Sequence, residues 1–365
     1  MTNPQQPAAP VPQPVLSPPT GTAIFLVVRV NPGGEQAVRG LLPDLAGLQR
    51  SVCARAPAGA LTCVAGIGSA AWDRLFGGPR PAGLHPFPEL AGAKYIAIAT
   101  PGDLLFHIKA QAMNLCFEMT AQIMDRLSGA VTVEDEVHGF RHFEERDLLG
   151  FVGGAENPCG PAAQAVLVGS EDPRFAGGSY VIAQKYLHEM RAWNALPVEQ
   201  QEKVLGRRKL SNIALPSGAR PGNSHVAMTA AVPGGARRPI LRDKMPFGSA
   251  GRGEFGTYFT GYAAHPGVIE QILTSMFIGD PPGNYDRILD FSAAVTGGLF
   301  FAPSADFLSD PPGPPGPPAR TAAVREPGLA EEAAPPGIPQ PSPGRTEHIG
   351  GLTRSGPAVT IPPHA

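Results

Sequence analysis

Two side chains stand in settings that could support chemistry, His225 and Arg242. His225 follows a polar loop and opens an apolar run, Ser224-His225-Val226-Ala227-Met228-Thr229, whose alternation predicts a strand over Ser224–Val232. An imidazole there can ligate a metal through one ring nitrogen, or it can be a hydrogen-bonded core residue. The residues alone leave both open, and the second is the commoner outcome. Arg242 ends the short apolar segment Pro239-Ile240-Leu241-Arg242 and reads on its own as a surface charge. Of the nine histidines, His188 falls in a polar stretch read as helical, His138 and His142 flank a charged strand turn, and His348 and His364 lie near the C-terminus.

Other motifs point nowhere. Gly251-Arg252-Gly253-Glu254-Phe255-Gly256 fits GxGxxG, but it neither follows an apolar strand nor opens a helix, so it is no dinucleotide fingerprint. The sequence has no GxxxxGK[ST], HExxH, GxSxG or EF-hand loop. The 29 basic and 31 acidic residues leave a net charge of -2 without a basic stripe, which argues against a nucleic-acid or membrane-surface partner. No apolar run approaches the roughly 18 residues of a membrane helix. The N-terminus has no basic n-region or apolar h-region. Cys53, Cys63, Cys116 and Cys159 form no CxxC pair and read as reduced thiols of a cytoplasmic protein.

The elements that must position these residues lie between two Pro-rich ends. Of 43 prolines, seven fall in residues 1–20 and fifteen in 311–365. Both ends are expected to be disordered, with a folded body over 21–308 and a tail over 309–365. Apolar β-branched runs predict strands at Thr22–Val30, Ala60–Ile67 and Tyr95–Thr100, and a strand pair over Val131–Phe143. Spacings of three and four predict helices at Gly34–Arg50 and Leu104–Leu127. A Gly-rich loop spans 150–160. The second half repeats the pattern: strands at Ser179–Gln184, Tyr258–Ala263 and Val295–Phe301, and helices at Leu187–Leu196, Val198–Arg207 and Pro266–Phe277. Two such sets, about 21–160 and 177–308, with antiparallel-type connections, predict an α+β fold with an internal duplication.

Ordered blocks across 21–308 resemble the dye-decolourising (DyP-type) haem peroxidases, in particular the bacterial B-type. They are EVHGFR (136–141), ERD (145–147), GFVGGAENP (150–158), GGSYVIAQ (177–184), Ser224-His225, ILRDKMPFG (240–248) and TGGLFFAPS (296–304). The resemblance implies a duplicated ferredoxin-like fold, one haem b, and reduction of hydrogen peroxide at the expense of dyes, phenols or similar one-electron donors. It implies that His225 is the proximal haem ligand, with Asp286 accepting its second ring N–H. It makes Arg242 the distal cation that stabilises negative charge on peroxide. Phe259 is a candidate apolar wall of the haem pocket, with ordinary core packing an equal alternative. A homo-oligomer is also expected.

The chain departs from the family pattern at two positions. The GxxDG loop reads Gly150-Phe151-Val152-Gly153-Gly154, so Gly153 replaces the distal Asp that moves peroxide's proton. Lys244 stands where Ser or Asn is usual, two residues after Arg242. A positioned acid/base contributes roughly 10² to 10⁴-fold. Three readings follow. Arg242 and a water in the vacated space support slower peroxide cleavage; Lys244 moves the proton; or the protein carries or senses haem without useful turnover. Glu156, in ENP, is a nearby carboxylate read as structural. The tail opens PPGPPGPP, a polyproline-type spacer. It ends near His348–Ser355, HIGGLTRS, which is either plain chain end or a docking peptide. Ile349–Arg354 loosely resembles the peptides that load some B-type members into encapsulin shells.

Overall fold

The computed structural model describes residues 9–153, 157–230 and 239–316. The first half contains β1 (Thr22–Val30), α1 (Glu35–Ala54), β2 (Thr62–Gly68), α2 (Ser69–Leu75), the short pair β3 (Leu90–Ala91) and β4 (Ile96–Ala97), β5 (Leu104–Ala110), α3 (Met113–Arg126) and β6 (Val131–Phe140). The second half contains β7 (Ser179–His188), α4 (Met190–Asn194), α5 (Val198–Leu205), α6 (His225–Ala230), β8 (Leu241–Ser249), β9 (Glu254–Ala263), α7 (Gly267–Phe277), β10 (Ser292–Ala294), β11 (Gly298–Ala302) and α8 (Ala305–Ser309).

The main strands form one antiparallel sheet in the order β6-β1-β5-β2-β11-β7-β9-β8, with β10 added beside β7. Each half arranges its strands as fourth, first, third, second, the ferredoxin-like order, so the topology repeats as expected. The end strands β6 and β8 lie against each other, and Gly139 gives the close approach, since a Cβ there would collide with Met245. Alternation then separates two cores. Phe25, Val64, Leu105, Tyr258 and Tyr262 fill the interior of the curled sheet. Ile24, Leu26, Phe106, Ile182 and Leu299 face outward to the helices. A buried ion pair crosses the interior, from Lys109 Nζ on β5 to Asp243 Oδ2 on β8 at 2.8 Å. Burial alone would push Asp243 up. The charge of Lys109, then that of His107, outweighs it and holds the carboxylate below its ordinary range.

Several expected elements are corrected. Leu104–Leu127 is a strand and a helix, β5 and α3. Every residue of β5 is buried, and an apolar run enclosed on both faces carries no alternation to separate it from a helix. Val131–Phe143 holds one strand, β6, which ends at Phe140, and not a strand pair. Only Ile96–Ala97 of Tyr95–Thr100 is strand. β7 extends through His188, which therefore lies on a strand and not on a helix. His225 opens α6 and not a strand, with Met228 N donating to Ser224 O and Thr229 Oγ1 to His225 O. β8 was not foreseen. Part of the Pro-rich N-terminus also packs on the body: Val15 is buried, and the Gln13 side chain bonds the backbone of Ala65 and Pro303. The far tail, with His348–Ser355, lies outside the described residues.

Candidate functional site

Period-two alternation on three adjacent strands builds one wall. Arg242 and Lys244 of β8, Thr257 and Phe259 of β9, and Gln184, Tyr186 and His188 of β7 share a face, because Lys244 pairs with Phe259 and Phe259 with Gln184. That face, the helices α6 and α7, and the loop around Asp147–Val152 enclose a cavity of about 1180 Å³, part of it open to solvent. Leu149, Val226, Ile240, Ile272, Leu273 and Met276 supply apolar lining.

His225 lines this cavity from the first turn of α6. Its Nδ1 lies 2.7 Å from Asp286 Oδ2. Asp286 is fully buried, and its other oxygen accepts from Ile288 N at 3.0 Å, capping the turn Arg287–Asp290. The carboxylate is held rigidly, and so is the ring. An Nδ1–H donated to Asp286 leaves Nε2 as the acceptor or ligand atom.

Arg242 and Lys244 also line the cavity. Asn157, of the ENP block, fastens the start of β8: its Nδ2 donates to Arg242 O at 2.7 Å and its Oδ1 accepts from Arg242 N at 2.8 Å. Lys244 carries the least expected geometry. Its stem packs over Gly153, where a Cβ would collide with Cε and lie 3.3 and 3.4 Å from Cγ and Cδ. Its ammonium stands 3.5 Å from Asp147 Oδ2. The space over Gly153, expected to be left for a water, holds lysine methylenes instead. Asp147 is buried, and its Oδ1 accepts from Phe151 N, pinning the Gly-rich loop. Glu156 and Gly154 lie outside the described residues.

The structure therefore brings His225, Asp286, Arg242, Lys244, Gly153 and Phe259 to a single cavity and its rim. Sequence reasoning missed Asp147, His188 and Gln184. His188 bonds Ser292 and Thr257, each at 2.8 Å; burial pushes it down to about 4, Asp147's charge opposing and Lys244's assisting. Gln184 is fully buried, accepts from the Tyr186 hydroxyl at 2.8 Å, and leaves its Nε2 without a partner in the cavity wall. Burial, then the Asp286 charge, pushes the Tyr186 phenol up. The signal for all three was position: Asp147 lies in the ERD block, Gln184 ends the GGSYVIAQ block, and His188 lies four residues further along β7.

These residues fit a haem. Among the described residues no three His, Cys, Asp or Glu side chains gather to hold a bare ion. One anchored imidazole on an apolar cavity suits an iron whose other ligands come from a macrocycle. The orphaned Gln184 amide is a buried donor facing the same space.

Comparison with known proteins agrees. Residues 12–141 match the family model "Dyp-type peroxidase, N-terminal" and residues 144–307 match "Dyp-type peroxidase, C-terminal". A dye-decolorizing peroxidase of Rhodococcus erythropolis is 62% identical over 304 residues, 83% of this chain and 89% of the relative. The cryo-EM structure of the encapsulated DyP-type peroxidase from Mycobacterium smegmatis superposes with a TM-score of 0.82 at 55% identity, covering 84% of this chain and 100% of that one. A Rhodococcus jostii RHA1 DypB variant in complex with heme gives 0.79 at 50% identity, with 83% and 99% covered.

Proposed function

The chain belongs to the Dyp-type peroxidase family and is a haem peroxidase, and from that premise we propose that it is one whose proton-transfer step is weakened and rebuilt around Lys244. The observation that carries the site assignment is the 2.7 Å bond from His225 to the buried, capped Asp286 on the cavity wall. When bound, haem supplies the redox centre at which peroxide is reduced. His225 would hold it through Nε2. Asp286 fixes the tautomer and keeps the imidazole electron-rich.

Arg242 supplies a permanent positive charge to the peroxide-binding side of the cavity. Asn157 keeps that charge in place through the backbone of β8. Lys244, beside Asp147, stands on this wall as a group able to hand a proton to the outer oxygen of peroxide. An ammonium donates well but accepts poorly. Turnover is therefore limited at the step that first takes a proton from peroxide. Phe259 contributes an apolar surface that limits water. The donors are phenols, dyes or similar one-electron reductants. The relative from Mycobacterium smegmatis is described as encapsulated. The His348–Ser355 patch at the end of a Pro-rich spacer supports a similar loading role for this tail.

The test is His225→Ala in the full chain reconstituted with haem. The expected result is loss of stoichiometric haem retention and of the Soret band on gel filtration. Retention of both would show that another residue holds the iron.

A further inference from the structure

Behind the sheet that walls the haem cavity lies a second cavity, of about 660 Å³ including its mouth. The two share β7 and β9, one on each face: Gln184 and Phe259 line the first, and their neighbours Ala183 and Tyr258 line the second. Tyr258 and Asp135 both line it. Tyr258 is 1% exposed, with its ring stacked on Phe25 at 4.2 Å. Its hydroxyl makes no hydrogen bond to another described residue and is free to meet a ligand in the cavity. Asp135 Oδ1 holds Lys185 Nζ at 2.9 Å, while its buried Oδ2 has no partner among the described residues, although nearly all buried polar groups do. Around them stand Val27, Val295, Phe300 and Pro101, an apolar surface suited to a ring.

We propose that this cavity is a binding site for a monocyclic phenol or arylamine, the reducing substrate, which donates its O–H or N–H to Asp135 Oδ2 and accepts from the Tyr258 hydroxyl. The proposal rests on the peroxidase reading above. Three features select this chemistry. Lys185 already neutralises Asp135, so the second oxygen attracts a neutral donor more than a free cation. Burial and the charge of Asp135 push the Tyr258 phenol up, so it stays a donor at neutral pH. A ligand with one polar end and one aromatic end pairs with the orphaned Asp135 oxygen and the Tyr258 hydroxyl and covers the apolar walls. The stoichiometry closes. One peroxide and two protons take two electrons to give two waters. Each phenol gives one electron and one proton, the proton passing to Asp135, and leaves as a phenoxyl radical. Only the thickness of the β7–β9 sheet separates this donor from the haem cavity.

The experiment uses the haem-loaded full chain and guaiacol as the probe. Its dissociation constant is measured by saturation-transfer NMR without peroxide, and its KM in turnover. Tyr258→Phe and Asp135→Asn should each weaken guaiacol binding about tenfold, the weight of one buried hydrogen bond, and raise KM in proportion. The rate of the peroxide-dependent Soret change should stay at its parent value. Val295→Phe, which fills the cavity without touching the polar groups, should weaken binding as well and guards against misfolding of the other two. Guaiacol binding that all three variants leave intact, or no binding to the parent protein, overturns the proposal while leaving the peroxidase reading standing. Absence of any Soret response to peroxide in the parent defeats the peroxidase reading instead, and the NMR result still judges the cavity.

Discussion

An aspartate placed at position 153, where the resemblance expects one, should fail to speed the peroxide reaction unless Lys244 is also changed. In Gly153→Asp the new Cβ collides with Lys244 Cε and crowds Cγ and Cδ at 3.3 and 3.4 Å. The lysine must swing away, and its ammonium, now 3.5 Å from Asp147, stays within reach of the new carboxylate. An opposite charge that close lowers a carboxyl pKa by roughly 1–3 units. The new group then becomes a weak base, paired when it should be taking peroxide's proton. Relative to the parent, the single variant should gain less than about tenfold, whereas Gly153→Asp with Lys244→Asn should gain about 100-fold or more, within the range of positioned acid/base catalysis. Lys244→Asn alone should not gain. The assay is stopped-flow absorbance of the Soret band after mixing with hydrogen peroxide, read as a second-order rate constant. Equal gains in the single and double variants would show that Lys244 obstructs nothing. A double variant no faster than the parent would show that the lost carboxylate was never limiting.

Two further outcomes follow from buried groups. Burial pushes His107 down to about 3 and His188 down to about 4, below the ordinary 6.5 of the unfolded chain. His107 faces Asp243, Lys109 and Tyr262, and His188 faces Asp147 and Lys244. Below pH 6.5 the unfolded chain binds protons that the native protein refuses. The urea midpoint should therefore be highest above pH 6.5, fall as the pH drops towards 4, and fall less steeply in His188→Asn; a flat profile between pH 7 and 5 contradicts this. Asn157→Ala removes both bonds to the Arg242 backbone. It should slow the peroxide reaction about tenfold, the weight of a net hydrogen bond or two, while haem retention measured by gel filtration stays intact, and loss of haem along with the rate would place Asn157 in binding instead.

The fold was legible because its repeat is a matter of strand order, and ordered blocks report that order well. Single elements were less legible where burial erased the period. β5 is enclosed on both faces, so Leu105 and Ile108 show a spacing that a helix would also give. α6 has six residues, too few for Val226 and Met228 to reveal a 3.6 period against a period of two. His225 was thus placed on the wrong element. Its role depends on what its ring meets, and Asp286 meets it from a turn sixty-one residues away. Asp147 and His188 were illegible as site residues for the same reason. Their chemistry comes from Lys244 and from each other's proximity, which no local pattern encodes.

The alternation of β8 explains why the two departures from the family pattern belong together. Arg242 and Lys244 point into the haem cavity, and Asp243 between them points into the interior, where Lys109 holds it. That buried pair resists any shift of the strand, since moving Asp243 would strand a charge away from water. The strand cannot retreat to make room for a long side chain at 244. Room has to come from across the cavity, and a residue without a Cβ at 153 supplies it. With Asn at 244, glycine at 153 would leave a void; with Asp at 153, the lysine stem would be displaced from where it now lies. Gly153 and Lys244 are therefore one structural change made at two positions, and under the proposed function the proton chemistry would turn on the pair.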